Sequence, residues 1–396
     1  MQIHLLPRRK QNSRAARGYR SYRGAKQPVR AIVWLLICAL EALLSLLLWL
    51  LTKTNPAVSR LLRQAAQAVS AGFSHITGII PFPVNEWLIG LGLLGLLGWL
   101  TVTLIRRRWQ ALLRGLGFLV FLAGLALLIF TLFYQIHHTA PSLASRMGLE
   151  VAPYTQQELE DFISAAVEEI NLRADAVPRD SAGSCAFGSF RALSRTVDTD
   201  YHRLQQQFPA LEAHHPAPVK QSLLGGRIMS LVNLSGYYFP WTAESIVSTD
   251  VVQTHLPFDI AHEEAHALGV GPEAECNFCA FLLCTGSEDL RLQYSGWLNA
   301  YIYANNALHS VDSNASAAQY AALCDSAKRD LHLLNETLAQ FEGPLHQIGT
   351  AVNHSYLLST GQKDGIRSYG KVVDLMVAFR QQQSAEDFAF FSAANF

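Results

Sequence analysis

Three apolar runs in the first third of the chain limit what it can fold into more than any other feature. Residues 31–51, 87–105 and 116–134 are each about twenty residues of nearly unbroken hydrophobic sequence. A hydrocarbon core about 30 Å thick takes roughly 20 helical residues to cross, so each run is long enough for one transmembrane helix. The first run is too long for the apolar part of a cleaved signal peptide and has no small-residue exit site, so it reads as an anchor. Composition agrees: 50% of residues are hydrophobic and only 16% charged, where a soluble protein has about a quarter charged. High apolar content with zero formal net charge also excludes disorder as the main state.

The zero net charge hides an asymmetry that sets orientation. Nine Lys and Arg residues and no acid fall within residues 1–30, and Arg106, Arg107 and Arg108 separate the second and third runs. Positive residues flanking spans stay in the cytoplasm. Residues 1–30 therefore read as a basic cytoplasmic tail rather than a nucleic-acid-binding segment, and residues 31–137 as a membrane domain whose lipid partner is the bilayer. Residues 138–396 read as an extracytoplasmic domain. Two details interrupt the membrane part. Glu41 lies mid-span, where a charge is costly, and is expected to be protonated or hydrogen-bonded to another helix. Between the first two spans, residues 57–80 place Val58, Leu61, Leu62, Ala65, Val69, Phe73, Ile76 and Ile80 near one helical face. That face is expected to lie on the outer membrane surface or to pack on the bundle.

The outer domain is long enough to bury its own core. Helices are expected over 155–173, opened by a Thr155/Glu158 capping box, and over 190–207, 256–268, 272–285, 287–308, 315–341 and 366–380. Short strands or a hairpin are expected within 226–251, which is rich in β-branched and aromatic residues. The fold class is mainly α, with an α-rich α+β domain carrying a small β-sheet after the transmembrane helices. Cys185, Cys276, Cys279, Cys284 and Cys324 are an odd number outside the spans, read as buried apolar residues with one disulfide as the alternative.

The stretch that carries chemistry is 259–280, DIAHEEAHALGVGPEAECNFCA. His262 and His266 are four apart, so one helical face presents both imidazoles to a single ion, with Glu263 one step round. Gly269 and Gly271 end that helix, Pro272 suits the start of another, and Glu273 or Glu275 can supply a third ligand. His₂Glu is a standard catalytic zinc set that leaves a position for water. Glu273 is preferred and Glu275 held in reserve, because Asn277 lies one turn beyond Glu273 and is placed to hold the second nitrogen of a ligand histidine. Glu263 is the candidate general base. A tetrahedral oxyanion would need a donor, for which His354, Tyr356 and Tyr369 are candidates and Tyr369 the first choice. The aromatic strand around Gly236–Phe239 offers an edge to an extended peptide. The histidine helix is too polar, and too far along the chain from the spans, for an intramembrane protease.

These residues resemble the gluzincin arrangement, HExxH followed by a helix bearing a glutamate with Asp or Asn four residues later. More closely, the chain resembles an uncharacterised family of bacterial membrane proteins, a domain of unknown function, with a HExAHxxGxxxExEANFxA segment. The likeness includes IPFPVNEW at 80–87, SGYYFPWTAE at 235–244 and SYGKVVDL at 368–375. It departs at Cys276, where the family usually has Ala, and at Glu264, where an apolar residue is common. The resemblance implies His262, His266 and Glu273 as ligands of one Zn2+, Glu263 as general base, and a multi-pass protein of the bacterial cell membrane. The expected function is zinc-dependent hydrolysis of peptide bonds. The alternative is an inactive, zinc-stabilised envelope binding or scaffolding protein.

Overall fold

A computed structural model describes residues 14–211, 213–362, 365 and 370–382, with the backbone alone over 14–32. Among these residues the chain forms fifteen α-helices and one three-stranded sheet. It divides into two compact units: one holds Leu94–Leu128 and the chain up to Leu47, the other Leu48–Leu93 and the chain from Ile129 onward.

Each apolar run is a helix long and apolar enough to cross a membrane. They fall in α1 (Arg14–Thr54, apolar over Val33–Thr54), α3 (Val84–Ile105) and α4 (Trp109–Phe133). At 1.5 Å per residue the 22 residues of α3 reach about 33 Å. Arg107 adopts a left-handed conformation (φ 48°) in the short turn between α3 and α4. In the first unit Glu41 is buried against Gly124, and a Cβ at 124 would collide with its carboxylate. Its Oε2 finds no hydrogen-bond partner among the described residues.

The helix between the first two spans, α2 (Pro56–Gly78), starts at Asn55, whose side chain accepts from Val58 N. Its apolar face behaves differently from the expectation of packing on the bundle. The small and polar side, Ser59, Ala66, Ser70, Ala71, Ser74 and Thr77, is buried, whereas Leu61, Val69, Phe73 and Ile76 are exposed. Small side chains let α2 approach the rest of the second unit closely and bond to its backbone. The Gln67 amide donates to the Leu268 carbonyl, Ala217 N to Ser74 Oγ at 3.0 Å, and Thr77 Oγ1 to the Thr242 carbonyl at 3.1 Å.

After α5 (Leu143–Met147), the capping box of Thr155 and Glu158 opens α6 (Gln156–Ala174), and α7 (Phe190–Gln207) follows. Strand β1 (Lys220–Gln221), the short α8 (Gly226–Leu231), β2 (Gly236–Phe239) and β3 (Glu244–Val247) come next. The expected hairpin is β2–β3, antiparallel with Gly236 opposite Val247, and β1 joins β3 in parallel, so β2 is an edge. The first residues of the expected strand region are helical instead, in α8.

Helices α9 (Leu256–Ala267), α10 (Glu273–Gly286) and α11 (Leu290–Val311) form the centre with α6, burying Phe162, Phe278, Phe281, Tyr294 and Trp297. The helix expected over 315–341 is two, α12 (Ser313–Ala321) and α13 (Asp325–Ala339), because Asn171 Oδ1 accepts from Cys324 N at 2.7 Å and holds the break. Helix α14 (Pro344–Ser359) was not expected, and α15 (Val372–Gln382) covers the described part of the last expected helix. All six cysteines are unpaired, four of them buried.

Two of the segments that carried the resemblance meet at the start of α3. Val84 N and Asn85 N, free donors at a helix start, bond to Glu244 Oε1 and Oε2 at 2.9 Å each, and Lys220 Nζ lies 2.6 Å from the same carboxylate. Asn85 Nδ2 donates to the Tyr237 hydroxyl at 2.8 Å. In return Glu86 accepts from the Ser222 hydroxyl and from the backbone of Leu223 (3.0 Å) and Leu224 (2.8 Å).

Candidate metal centre

The centre is built from α9, the turn 268–272 and the first residues of α10. Gly269 has φ +83°, the left-handed conformation that ends a helix at low steric cost. The Val270 amide then bonds back to the Ala265 carbonyl at 3.0 Å. This sharp return brings Glu273, the first residue of α10, back over the two histidines of α9.

The histidine rings lie 5.0 Å apart and nearly perpendicular. His262 Nδ1 is 2.7 Å from Asn277 Oδ1, and His266 Nδ1 is 3.0 Å from the Val270 carbonyl oxygen. Both partners are acceptors, so each Nδ1 carries the proton and each Nε2 presents a lone pair when the ring is neutral. The two Nε2 atoms face one oxygen, Glu273 Oε2, at 3.1 Å and 3.5 Å. Ligand atoms about 2.0–2.1 Å from a tetrahedral ion stand about 3.3 Å apart, so these separations fit a shared divalent cation. Burial and donor chemistry fit as well: two imidazoles and one carboxylate, with His266 and Glu273 buried and His262 partly open at 12% side-chain exposure.

The electrostatics follow from this packing. Burial opposes charging His262, but Glu273 outweighs it and leaves the ring raised above its ordinary value. At His266 burial is outweighed by Cys276 and Glu273, and the rise is larger. Burial pushes Glu273 up, yet His266 and His262 hold it well below the usual carboxylate range. At Glu263 burial outweighs the pull of His262 and His266. Burial raises it to about 7, and its Oε2 has no hydrogen-bond partner among the described residues. Its carboxylate lies against Gly236 of the edge strand, where a Cβ would come within 2.6 Å of Oε1.

The structure thus brings His262, His266, Glu263, Glu273 and Asn277 together. Glu275 turns away, its Oε1 accepting from Leu143 N at 2.9 Å. Cys276 is a sulfur alternative close to both histidines. Its Sγ, however, lies 3.3 Å from His266 Nδ1 and 3.4 Å from the Val270 oxygen, on the side of the ring away from the lone pair. Tyr369 lies outside the described residues. Tyr356 stands near the centre, packing on Tyr134 with ring centres 6.5 Å apart, whereas His354 is exposed.

Sequence reasoning missed two neighbours from the end of the third span. Tyr134, one residue past α4, has its ring 5.8 Å from that of His266. His138, on the next turn, is pushed down to about 4 by burial and by His266, and neither ring nitrogen has a hydrogen-bond partner among the described residues. The only signal was their helical spacing behind a span, which says nothing about a motif over a hundred residues later. Distance along the chain was therefore a poor guide: the histidine helix packs beside the end of α4.

No curated protein and no solved structure matches the chain. A family model does, described as Protein of unknown function (DUF3810), over residues 63–377. That match takes in α2, the start of α3, the sheet, α9 and α10, and with it the chain belongs to the DUF3810 family.

Proposed function

We propose that the protein is a membrane-anchored zinc-dependent metallopeptidase of gluzincin type, acting outside the cytoplasm. The observation that carries this is the convergence of His262 Nε2, His266 Nε2 and Glu273 Oε2, with both Nδ1 protons already committed to fixed acceptors. A zinc ion held by these three atoms would polarise a carbonyl and acidify a water molecule. The rest belongs to the chain. Glu263, with an unpartnered oxygen and a carboxyl lifted to about 7, is suited to take a proton from water near neutral pH and to return it to a leaving amine. Tyr134, whose ring lies 5.8 Å from that of His266, with Tyr356 packed on it, and His138 are candidates to support a developing oxyanion. Strand β2 has a free edge, and Gly236 puts that edge directly beside Glu263, where an extended peptide can add as a further strand. The basic residues before the apolar part of α1 and between α3 and α4 support a cytoplasmic side for those ends, and with it an outer location for the chain after α4.

The test is Glu263→Gln in the full-length, detergent-purified protein, incubated with a mixed peptide library read by mass spectrometry. Zinc content and melting should match wild type while cleavage disappears. Equal cleavage by the variant, or a wild-type protein that binds zinc and cleaves nothing in the library, counts against the enzyme reading.

A further inference from the structure

Where the chain after α4 meets the ends of the candidate spans, it turns an apolar surface outward. Leu223, Leu224 and Ile228, in and just before α8, and Leu345, Ile348 and Val352, on α14, are each 53–64% exposed. The three on α14 stand at i, i+3 and i+7, one stripe of a helix. The two groups adjoin. Gly349 of α14 meets the residue after α8 so closely that a Cβ there would collide with the Val232 carbonyl. Beside it Asn233 Nδ2 donates to Thr350 Oγ1 at 3.2 Å, and the Arg227 guanidinium lies 4.6 Å over the Phe341 ring. No Lys, Arg, Asp or Glu occurs from residue 343 to residue 362. Large aliphatic side chains gathered on a surface without charge mark an interaction site rather than a face made for water.

Hydrogen bonds and ring contacts fix the level of this surface. Glu86, in the first turn of α3, accepts from the backbone of Leu223 and Leu224, so these two leucines stand beside the point where that candidate span begins. Phe130, in the last turn of α4, has its ring 6.4 Å from that of Tyr356 on α14. Phe130 is three residues short of the end of α4, about 4.5 Å inside it at 1.5 Å per residue. Trp87, 45% exposed at the start of α3, suits the aromatic belt of a membrane interface. A short turn joins α3 to α4, so two spans so connected start and end on the same side of a bilayer. All of these residues belong to the second unit.

We propose that Leu223, Leu224 and Ile228, with Leu345, Ile348 and Val352, dip into the bilayer leaflet at that end of the spans, as an in-plane lipid contact additional to the three helices. Apolar arcs of this kind enter about 5–10 Å into the boundary between headgroups and acyl chains. Lipid is the occupant because the surface is continuous with the ends of α3 and α4, so whatever covers it lies at the membrane surface. With no formal charge on α14, no ionised group has to leave water. The contact also sets the candidate metal centre at the lipid surface, since Tyr356 packs on Tyr134 and the Tyr134 ring stands beside His266. It holds whichever reaction the centre performs.

The experiment is nitroxide power saturation on the full-length protein in liposomes of phosphatidylcholine and phosphatidylglycerol. Ile348→Cys and Leu224→Cys are labelled in a Cys38→Ala/Cys324→Ser background, the other four cysteines being buried. Leu172→Cys, 73% exposed on the acidic α6, is the water-facing control. The replaced side chains are exposed, so the fold is retained, and melting curves check this. Oxygen concentrates in lipid and a nickel chelate in water. Relaxation at 348 and 224 should therefore be dominated by oxygen, and at 172 by nickel. Nickel-dominated relaxation at 348 and 224, equal to that at 172, overturns the proposal. Labels at 348 and 224 that are immobile and reached by neither reagent also overturn it, and assign the surface to a second copy of the chain.

Discussion

Asn277 tests the metal centre without needing a substrate. It is buried at 2% exposure, and its Oδ1 accepts the His262 Nδ1 proton at 2.7 Å. Asn277→Ala removes that acceptor and leaves a buried imidazole N–H unpaired, a cost of about 1–3 kcal/mol. The loss should appear in metal affinity, because the ring is no longer held with Nε2 towards Glu273. Groups backing a ligand histidine typically contribute 10–100-fold in affinity, about 1.4–2.7 kcal/mol, so the two estimates agree. The assay is zinc competition against a chromophoric chelator. Asn277→Asp, which strengthens the acceptor, should bind at least as tightly as the parent. Glu275→Gln should be neutral, since that carboxylate serves Leu143 N. Asn277→Ala within twofold of its parent, or a larger loss from Glu275→Gln, would refute the assignment of the ligand set.

Two further outcomes follow from other residues. Gly236→Ala should retain zinc but lose roughly 10²-fold in turnover: its Cβ would come within 2.5 Å of Glu263 Cγ, and a shift of about 1 Å in a catalytic group costs about that much. Undiminished cleavage by that variant would separate Glu263 from the chemistry. His137 is buried, and burial, with Arg63, His138 and Arg146, lowers it to about 3 against an unfolded value near 6.5. Its folded value is the lower one, so its stabilising contribution is present above pH 6.5 and lost as pH falls towards 3, by up to about 1.4 kcal/mol per pH unit. His137→Gln should flatten the acid limb of a melting-temperature profile between pH 6.5 and 4, and a limb parallel to wild type would contradict this.

What was legible in the sequence was whatever depends on spacing within one element. The spans were legible because twenty apolar residues have few other uses. The pairing of His262 with His266, and the placing of Asn277 one turn beyond Glu273, follow from helical period alone. Glu273 is preferred over Glu275 because Asn277 lies one turn beyond it, and Glu273 does face both histidines while Glu275 turns to Leu143 N. Contacts between distant segments were not legible. Tyr134 and His138 reach the centre from the end of α4, and Cys276 was noted only as a departure although it lies against His266. On α2 the apolar arc was identified correctly, but the side that packs is the one bearing Ser59, Ser70, Ser74 and Thr77. Small polar residues give little hydrophobic signal; they are buried because they permit close approach and bond to backbone.

Such contacts also join the start of a candidate span to the segments that follow the third one. Glu244 caps the first amides of α3 while Glu86, two residues into that helix, receives the 222–224 turn. Glu244 opens β3 at the turn end of the hairpin, opposite Phe239, and Gly236 at the other end of β2 packs on Glu263. The start of a span is thus joined through one four-residue strand pair to the carboxylate proposed as base. From the other side, Phe130 in the last turn of α4 stacks on Trp241 with ring centres 6.0 Å apart, and Tyr134 continues to His266. Removing the spans would strip the candidate centre of Tyr134 and take the Val84 and Asn85 amides from the buried Glu244 carboxylate, leaving it only Lys220 and Thr242. The chain after α4 in isolation should therefore be unstable where a merely tethered domain would not be, which makes the start of α3 and the end of α4 part of the site's construction rather than an anchor for it.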